Sequence, residues 1–307
     1  MCYTKKVIFI DWVIEMKKTL FEGVGTAIAT PFNEDGINYK EYDKLLENQL
    51  ENNIDAIVVC GTTGEAATMS YEERSELIHH TIDKVDGKSK VIVGTGSNAT
   101  QVAVRLSKEA EEAGADGLLV VTPYYNKATQ DGLVKHYEVI SDSVSLPIIV
   151  YSVASRTGVN IKPETCLKLS KIGNVVAIKE ASGNISQVAK IASLCGDDLD
   201  IYSGNDDQIV PVLSLGGKGV ISVLSNIYPK YTKEMVESFQ NGDIKKATKM
   251  QLDAIETIDA LFSEVNPIPV KYALNELGYD FGKPRLPLTE LTDENKVRMQ
   301  KVLSKKL

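Results

Sequence analysis

Between residues 24 and 223 the chain repeats one pattern. A short apolar run rich in β-branched residues is followed by a polar stretch in which apolar positions return every three or four residues. The apolar runs predict strands at Val24–Thr30, Ala56–Cys60, Val91–Thr95, Gly117–Thr122, Ile148–Tyr151, Val176–Glu180, Leu199–Ser203 and Gly219–Val223. The intervening stretches predict helices at Tyr39–Asn53, Ser70–Val85, Thr100–Ala113, Gln130–Ser143, Pro163–Ser170, Ile185–Leu194 and Gln208–Leu215, several of them opened by a Ser, Thr or Asp cap. Near-continuous apolar strands alternating with helices imply a parallel sheet covered on its outer face. Eight such units predict an α/β fold, a (β/α)8 barrel.

Beyond about residue 242 the strand pattern stops. Asp243–Glu264, Asn266–Leu277 and Thr292–Leu303 read as helices, and Pro267, Pro269, Pro284 and Pro287 punctuate the joints. The expected organisation is therefore a barrel over residues 17–242 and a small C-terminal helical domain over 243–307, packed together because no low-complexity linker separates them. Residues 1–16 read as an extension outside the fold. Their apolar run VIFI is broken by Asp11 and no small-residue cleavage site follows, which argues against a signal peptide and makes Met16 the more natural start of the folded part.

Composition narrows the function classes. The 307 residues carry 34 basic and 42 acidic side chains, a formal charge of −8 that argues against nucleic-acid binding. No run approaches the roughly 18 apolar residues of a membrane span. Cys2, Cys60, Cys166 and Cys195 are scattered without a C-x-x-C pair, and His79 and His80 point to different faces of a helix. Neither a disulfide framework nor a metal site is expected, and a reducing cytoplasm is the simplest location.

In a barrel the chemistry sits where the strands end, so the polar residues closing each apolar run are the candidates. Lys179 closes the run Val175-Val176-Ala177-Ile178. Burial there lowers an amine's pKa and leaves a nucleophile able to form a Schiff base with a ketone, an electron sink for carbon–carbon bond chemistry. An ion pair with Glu180, or a side chain snorkelling to solvent, is the alternative. Tyr151 closes the fifth strand and is a candidate proton donor and acceptor, or else a core tyrosine with a satisfied hydroxyl. The turn Gly61-Thr62-Thr63-Gly64-Glu65 offers hydroxyls and backbone N–H groups to a carboxylate. Arg156 offers a bidentate fork for a second one, unless it is an ordinary exposed loop arginine.

The segments GTTGE, TPYYNK, YSVASRTG, AIKEASGN, SGND, GGKGVISV and NPIPVK follow one another in an order and at spacings that resemble the dihydrodipicolinate synthase family of pyruvate-dependent class I aldolases. The resemblance runs from Phe21 to about Leu288. It implies condensation of pyruvate with L-aspartate 4-semialdehyde on the pathway to diaminopimelate and lysine, without a dissociable cofactor, because the imine forms on Lys179 itself. It further implies that Tyr151, Thr62 and Tyr125 relay protons, with Tyr125 reaching into a neighbouring subunit's site. Thr63, Ile221 and Gly204 fall among the pyruvate-binding positions, and Arg156 receives the semialdehyde carboxylate. A homo-oligomer, a dimer of dimers, follows from the same likeness. Within the wider group, N-acetylneuraminate lyases and keto-deoxy-sugar aldolases share the lysine and the tyrosine. A barrel that binds a metabolite without chemistry is the rival from another class.

Two departures from the family pattern stand out. Where the family usually reads Y-N-V-P-x-R-T, this chain has Ser152 and Ala154, and loss of the proline is expected to free the loop that carries Arg156. In lysine-inhibited members the end product binds a cleft between subunits. Asn98 and Tyr124 match that cleft, but Tyr71 and Arg74 stand where histidines are frequent, and Val102 where a glutamate is. Weak or absent inhibition by lysine is the expectation.

Overall fold

The computed structural model describes residues 17–305 and 307. The extension expected at 1–16 lies outside the described residues. Eight parallel strands close into a barrel: β1 Gly23–Ala27, β2 Ala56–Val59, β3 Lys90–Gly94, β4 Gly117–Val121, β5 Ile148–Ser152, β6 Val175–Glu180, β7 Asp200–Ser203 and β8 Gly219–Ser222. Each pairs with its sequence neighbours, and β8 returns to β1 through Gly23 opposite Gly219. The (β/α)8 prediction is met.

Alternation along the strands explains why the runs are apolar throughout. Val58, Leu119 and Ile149 point into the barrel, whereas Ile57, Val59, Leu118 and Val120 point outward into the layer beneath the helices. The interior is filled below the site by Phe21, which stacks on Tyr202 at 4.3 Å between ring centroids and accepts a 2.6 Å hydrogen bond from its hydroxyl.

The outer layer comprises α1 Tyr39–Glu51, α2 Tyr71–Val85, α3 Thr100–Glu112, α4 Gln130–Ser141, α5 Pro163–Leu169, α6 Ile185–Cys195, α7 Ile209–Ser214 and α8 Pro229–Gln240. Ser70, which opens the segment expected for α2, caps it: its hydroxyl accepts from the Glu73 N–H while the Glu73 carboxylate accepts from the Ser70 N–H. The C-terminal helices α9 Ile244–Leu261, α10 Ile268–Glu276 and α11 Asp293–Lys305 pack on one another, and α9 also lies against α8.

Three features were not foreseen from the pattern. The first strand ends at Ala27 rather than Thr30, and a short antiparallel ribbon, Phe32–Asn33 with Gly36–Ile37, follows it. Helix α8 was not predicted, although Pro229 at its first turn and buried Thr232, Met235 and Val236 at helical spacing mark it. The Arg156 loop winds into a single helical turn, Ala154–Thr157. Among the described residues no helix is long and apolar enough to cross a membrane.

Candidate active site

The end of β6 sets the centre of the site. Because side chains alternate along a strand, Lys179 points into the barrel and its neighbour Glu180 points away. Glu180 accepts from the Ser182 N–H at 2.6 Å and from the Gln187 amide at 3.0 Å, so it does not neutralise the lysine. Lys179 does not snorkel either, being only 5% exposed. Burial brings its amine from the usual lysine range down to about 8. Asp206 opposes that shift, and Arg156 adds to it. A substantial neutral fraction near physiological pH is what a nucleophilic amine requires.

Tyr151 lies directly across from Lys179 in the β5–β6 register. Its ring centroid is 4.4 Å from the lysine Nζ. Burial raises its phenol above the ordinary tyrosine range, while Arg156 and then a hydrogen bond with Thr62 pull the other way. The tyrosine therefore stays protonated near neutrality and can give a proton to, and take one from, a group held beside the amine.

The β2 turn brings Thr62 and Thr63 to the same opening. A cavity of about 360 Å³ is lined by Thr62, Thr63, Tyr151, Arg156, Lys179 and Gly204 together with Asn205, Asp206 and Asn266. Gly204 also has a packing reason to lack a side chain, since a Cβ there would lie 2.6 Å from the Ala181 Cβ and 3.0 Å from the Glu180 carbonyl oxygen. Ile221 is buried in the barrel interior, in the apolar cluster that includes Tyr151, and does not itself line the cavity. Six of the eight expected residues thus line one cavity, Ile221 lies in the interior cluster with Tyr151, and Tyr125 stands apart. Tyr125 is 90% exposed, in a left-handed conformation on the β4 loop, and no atom of it lines the cavity of its own chain.

The Arg156 loop is closed by backbone hydrogen bonds from Arg156 and Thr157 to Val153 and from Gly158 to Ala154. The Arg156 guanidinium donates to the Asn266 carbonyl at 3.2 Å. Despite the missing proline, the loop is thus tied at both its backbone and its side chain. Ser152 is fully buried, and its hydroxyl has no partner among the described residues.

Asp206 and Asn266 were missed as individual residues. Asp206 Oδ2 accepts from the N–H groups of Val223 and Leu224 at 3.0 and 2.9 Å, whereas Oδ1 is buried without a partner among the described residues. Burial raises its carboxyl, and the nearby lysine is among the groups that counter that rise. Its place in the SGND turn was the only signal. Asn266 opens NPIPVK and donates from its side chain to the Thr63 hydroxyl at 3.0 Å.

Fold and site together define a (β/α)8 barrel with a desolvated amine at the open end of its strands, the arrangement of an imine-forming lyase. The chain belongs to the dihydrodipicolinate synthetase family, whose sequence profile matches residues 20–306. It is 57% identical over 286 residues to a 4-hydroxy-tetrahydrodipicolinate synthase from Caldicellulosiruptor bescii, covering 93% of this chain and 97% of that one. The structure is similar to dihydrodipicolinate synthase from Thermotoga maritima, with TM-score 0.92, 44% identity, and 94% and 99% of the two chains covered. It is also similar to the enzyme from Cyanidioschyzon merolae with lysine bound, with TM-score 0.90, 38% identity, and 94% and 98% covered.

Proposed function

We propose that this lyase condenses pyruvate with L-aspartate 4-semialdehyde to 4-hydroxy-tetrahydrodipicolinate, the reaction of lysine and diaminopimelate biosynthesis, through an imine on Lys179. The observation that carries the reading is the desolvated Lys179 amine beside Tyr151. Attack of that amine on the pyruvate ketone and loss of water give an iminium. Loss of a methyl proton then gives an enamine, whose carbon bonds to the semialdehyde carbonyl carbon while that oxygen takes a proton. The semialdehyde's own amine finally displaces Lys179, closing the ring and freeing the catalyst.

Tyr151 and Thr62 serve the proton transfers, and Tyr125 serves them from a neighbouring subunit, which its exposure supports. Thr63, Gly204 and Ile221 bound the pyruvate subsite, and Arg156 receives the semialdehyde carboxylate. No dissociable cofactor enters the cycle. We assign residues 17–242 to the barrel and 243–307 to the helical domain. The working assembly is a homo-oligomer, a dimer of dimers, and its location the cytoplasm.

A substrate panel tests the assignment. Turnover is expected with pyruvate and L-aspartate 4-semialdehyde, and not in the cleavage of N-acetylneuraminate or keto-deoxy sugars. Preferred turnover of a sugar acid would overturn it.

A further inference from the structure

The NPIPVK segment reaches back across the whole chain to the β2 turn. Lys271 donates to Glu65 Oε1 at 2.7 Å, and the two side chains are 0% and 1% exposed although 206 residues separate them. The second Glu65 oxygen accepts from the Arg285 N–H at 2.9 Å. Lys271 also donates to the Lys283 carbonyl at 3.2 Å and lies 4.4 Å from the centroid of the Phe32 ring. A buried ion pair of this kind gains little or no stability over apolar packing of equal volume, so its presence asks for another reason.

The backbone of the turn supplies one. Cys60 and Glu65, which bracket GTTG, both have φ of 56°, a left-handed conformation that costs a residue bearing a Cβ. Such conformations persist where the surroundings over-determine them, and they gather at ligand sites. The Glu65 N–H donates to the Thr62 carbonyl, so displacing Glu65 displaces Thr62 and Thr63 with it. The same C-terminal segment holds the Thr63 hydroxyl through the Asn266 side chain and Arg156 through the Asn266 carbonyl.

We infer that the Lys271–Glu65 pair is a positioning device of the pyruvate subsite, with which the C-terminal domain clamps the GTTGE turn so that the Thr62 and Thr63 hydroxyls face Lys179. Neither partner lines the cavity that holds Lys179, so both act through the turn. The inference rests on the pyruvate reading above and adds to it a function for the C-terminal domain.

Glu65→Gln keeps the volume and removes the charge. It is expected to raise the KM for pyruvate tenfold or more while kcat falls less than threefold. Lys271→Met is expected to do the same and to lower Tm, because it leaves a buried carboxylate unpaired. The double variant Glu65→Leu/Lys271→Met removes both charges and is expected to recover Tm without recovering the KM. Should Lys271→Met fail to fold, Glu65→Gln carries the test alone. A loss confined to Tm or to kcat, with the pyruvate KM unchanged in Glu65→Gln, overturns the inference. Borohydride trapping separates the two levels. A wild-type enzyme that traps no pyruvate on Lys179 refutes the functional reading. Trapping by wild type and Glu65→Gln with the same half-saturating pyruvate concentration refutes only the role of the pair.

Discussion

Lys179 and Tyr151 face each other across neighbouring strands, paired in register, with the lysine Nζ 4.4 Å from the tyrosine ring centroid. The relationship is set by the hydrogen-bonded pairing of the two strands. Two strands of the same closed sheet fix the distance, so no loop has to order before amine and phenol meet. Tyr151→Phe keeps the ring against the lysine and deletes the transferable proton. A fall in kcat of roughly 10²-fold is expected, in the range typical of general acid–base groups. Steady-state assays at saturating pyruvate and semialdehyde check it, and an unchanged rate removes Tyr151 from the proton relay.

The pH dependence follows from the charges around the amine. Lys179 reacts as the free base, and its pKa is brought down to about 8, chiefly by burial. The kcat/KM for pyruvate should therefore rise with pH through this region and level off above it. Asp206 stabilises the ammonium form, so Asp206→Asn should let the proton leave at lower pH and move the acid limb downward. Profiles of both enzymes in pyruvate-limited assays decide this. A limb that stays in place, or moves up, shows that Asp206 does not set the charge state of the lysine.

The lysine and the tyrosine were legible in the sequence because each is a polar residue that terminates an apolar run, and the barrel sends every such residue to one face. Glu65 and Lys271 were visible only as members of motifs. Their pairing depends on a fold that brings residues 206 positions apart into contact. Asp206 was hidden for a different reason: a carboxylate in a Gly-Asn-Asp turn is ordinary, and only the structure shows one of its oxygens buried without a partner. Tyr125 was legible only through the family likeness, because an exposed loop tyrosine carries no signal of its own in the hydrophobic pattern.

The Arg156 loop carries its own prediction. Ala154 occupies the first position of the helical turn, where an N–H has no intrahelical partner and proline is well tolerated. Ala154→Pro should add about 0.4–1 kcal/mol of stability by restricting the unfolded chain. By holding Arg156 in place, it should lower the KM for the semialdehyde more than that for pyruvate. Thermal melts and paired KM values test this, and equal movement of the two constants contradicts the assignment of Arg156 to the second substrate.

Feedback by L-lysine is expected to be weak. Tyr71 is engaged by the Arg105 guanidinium 5.1 Å from its ring centroid, Arg74 donates to the Gly94 carbonyl at 2.8 Å, and Val102 offers no charge. A ligand ammonium brought to these residues would meet the Arg74 charge, and the nearby Glu109 carboxylate is already engaged by Tyr71 and by Arg105 at 3.8 Å, so a partly buried ammonium there lacks a free partner. Titration of lysine at subsaturating pyruvate should give half-inhibition well above 1 mM. A value below about 1 mM, a binding free energy near −4 kcal/mol, contradicts the expectation.

The central claim is that Lys179 is the residue that forms the covalent bond to pyruvate. Borohydride reduction of the enzyme in the presence of pyruvate, followed by intact mass and peptide mapping, addresses it directly. The account predicts one reduced pyruvate adduct per chain, located on Lys179, and none in Lys179→Ala. Absence of an adduct, or an adduct on another lysine, would contradict it.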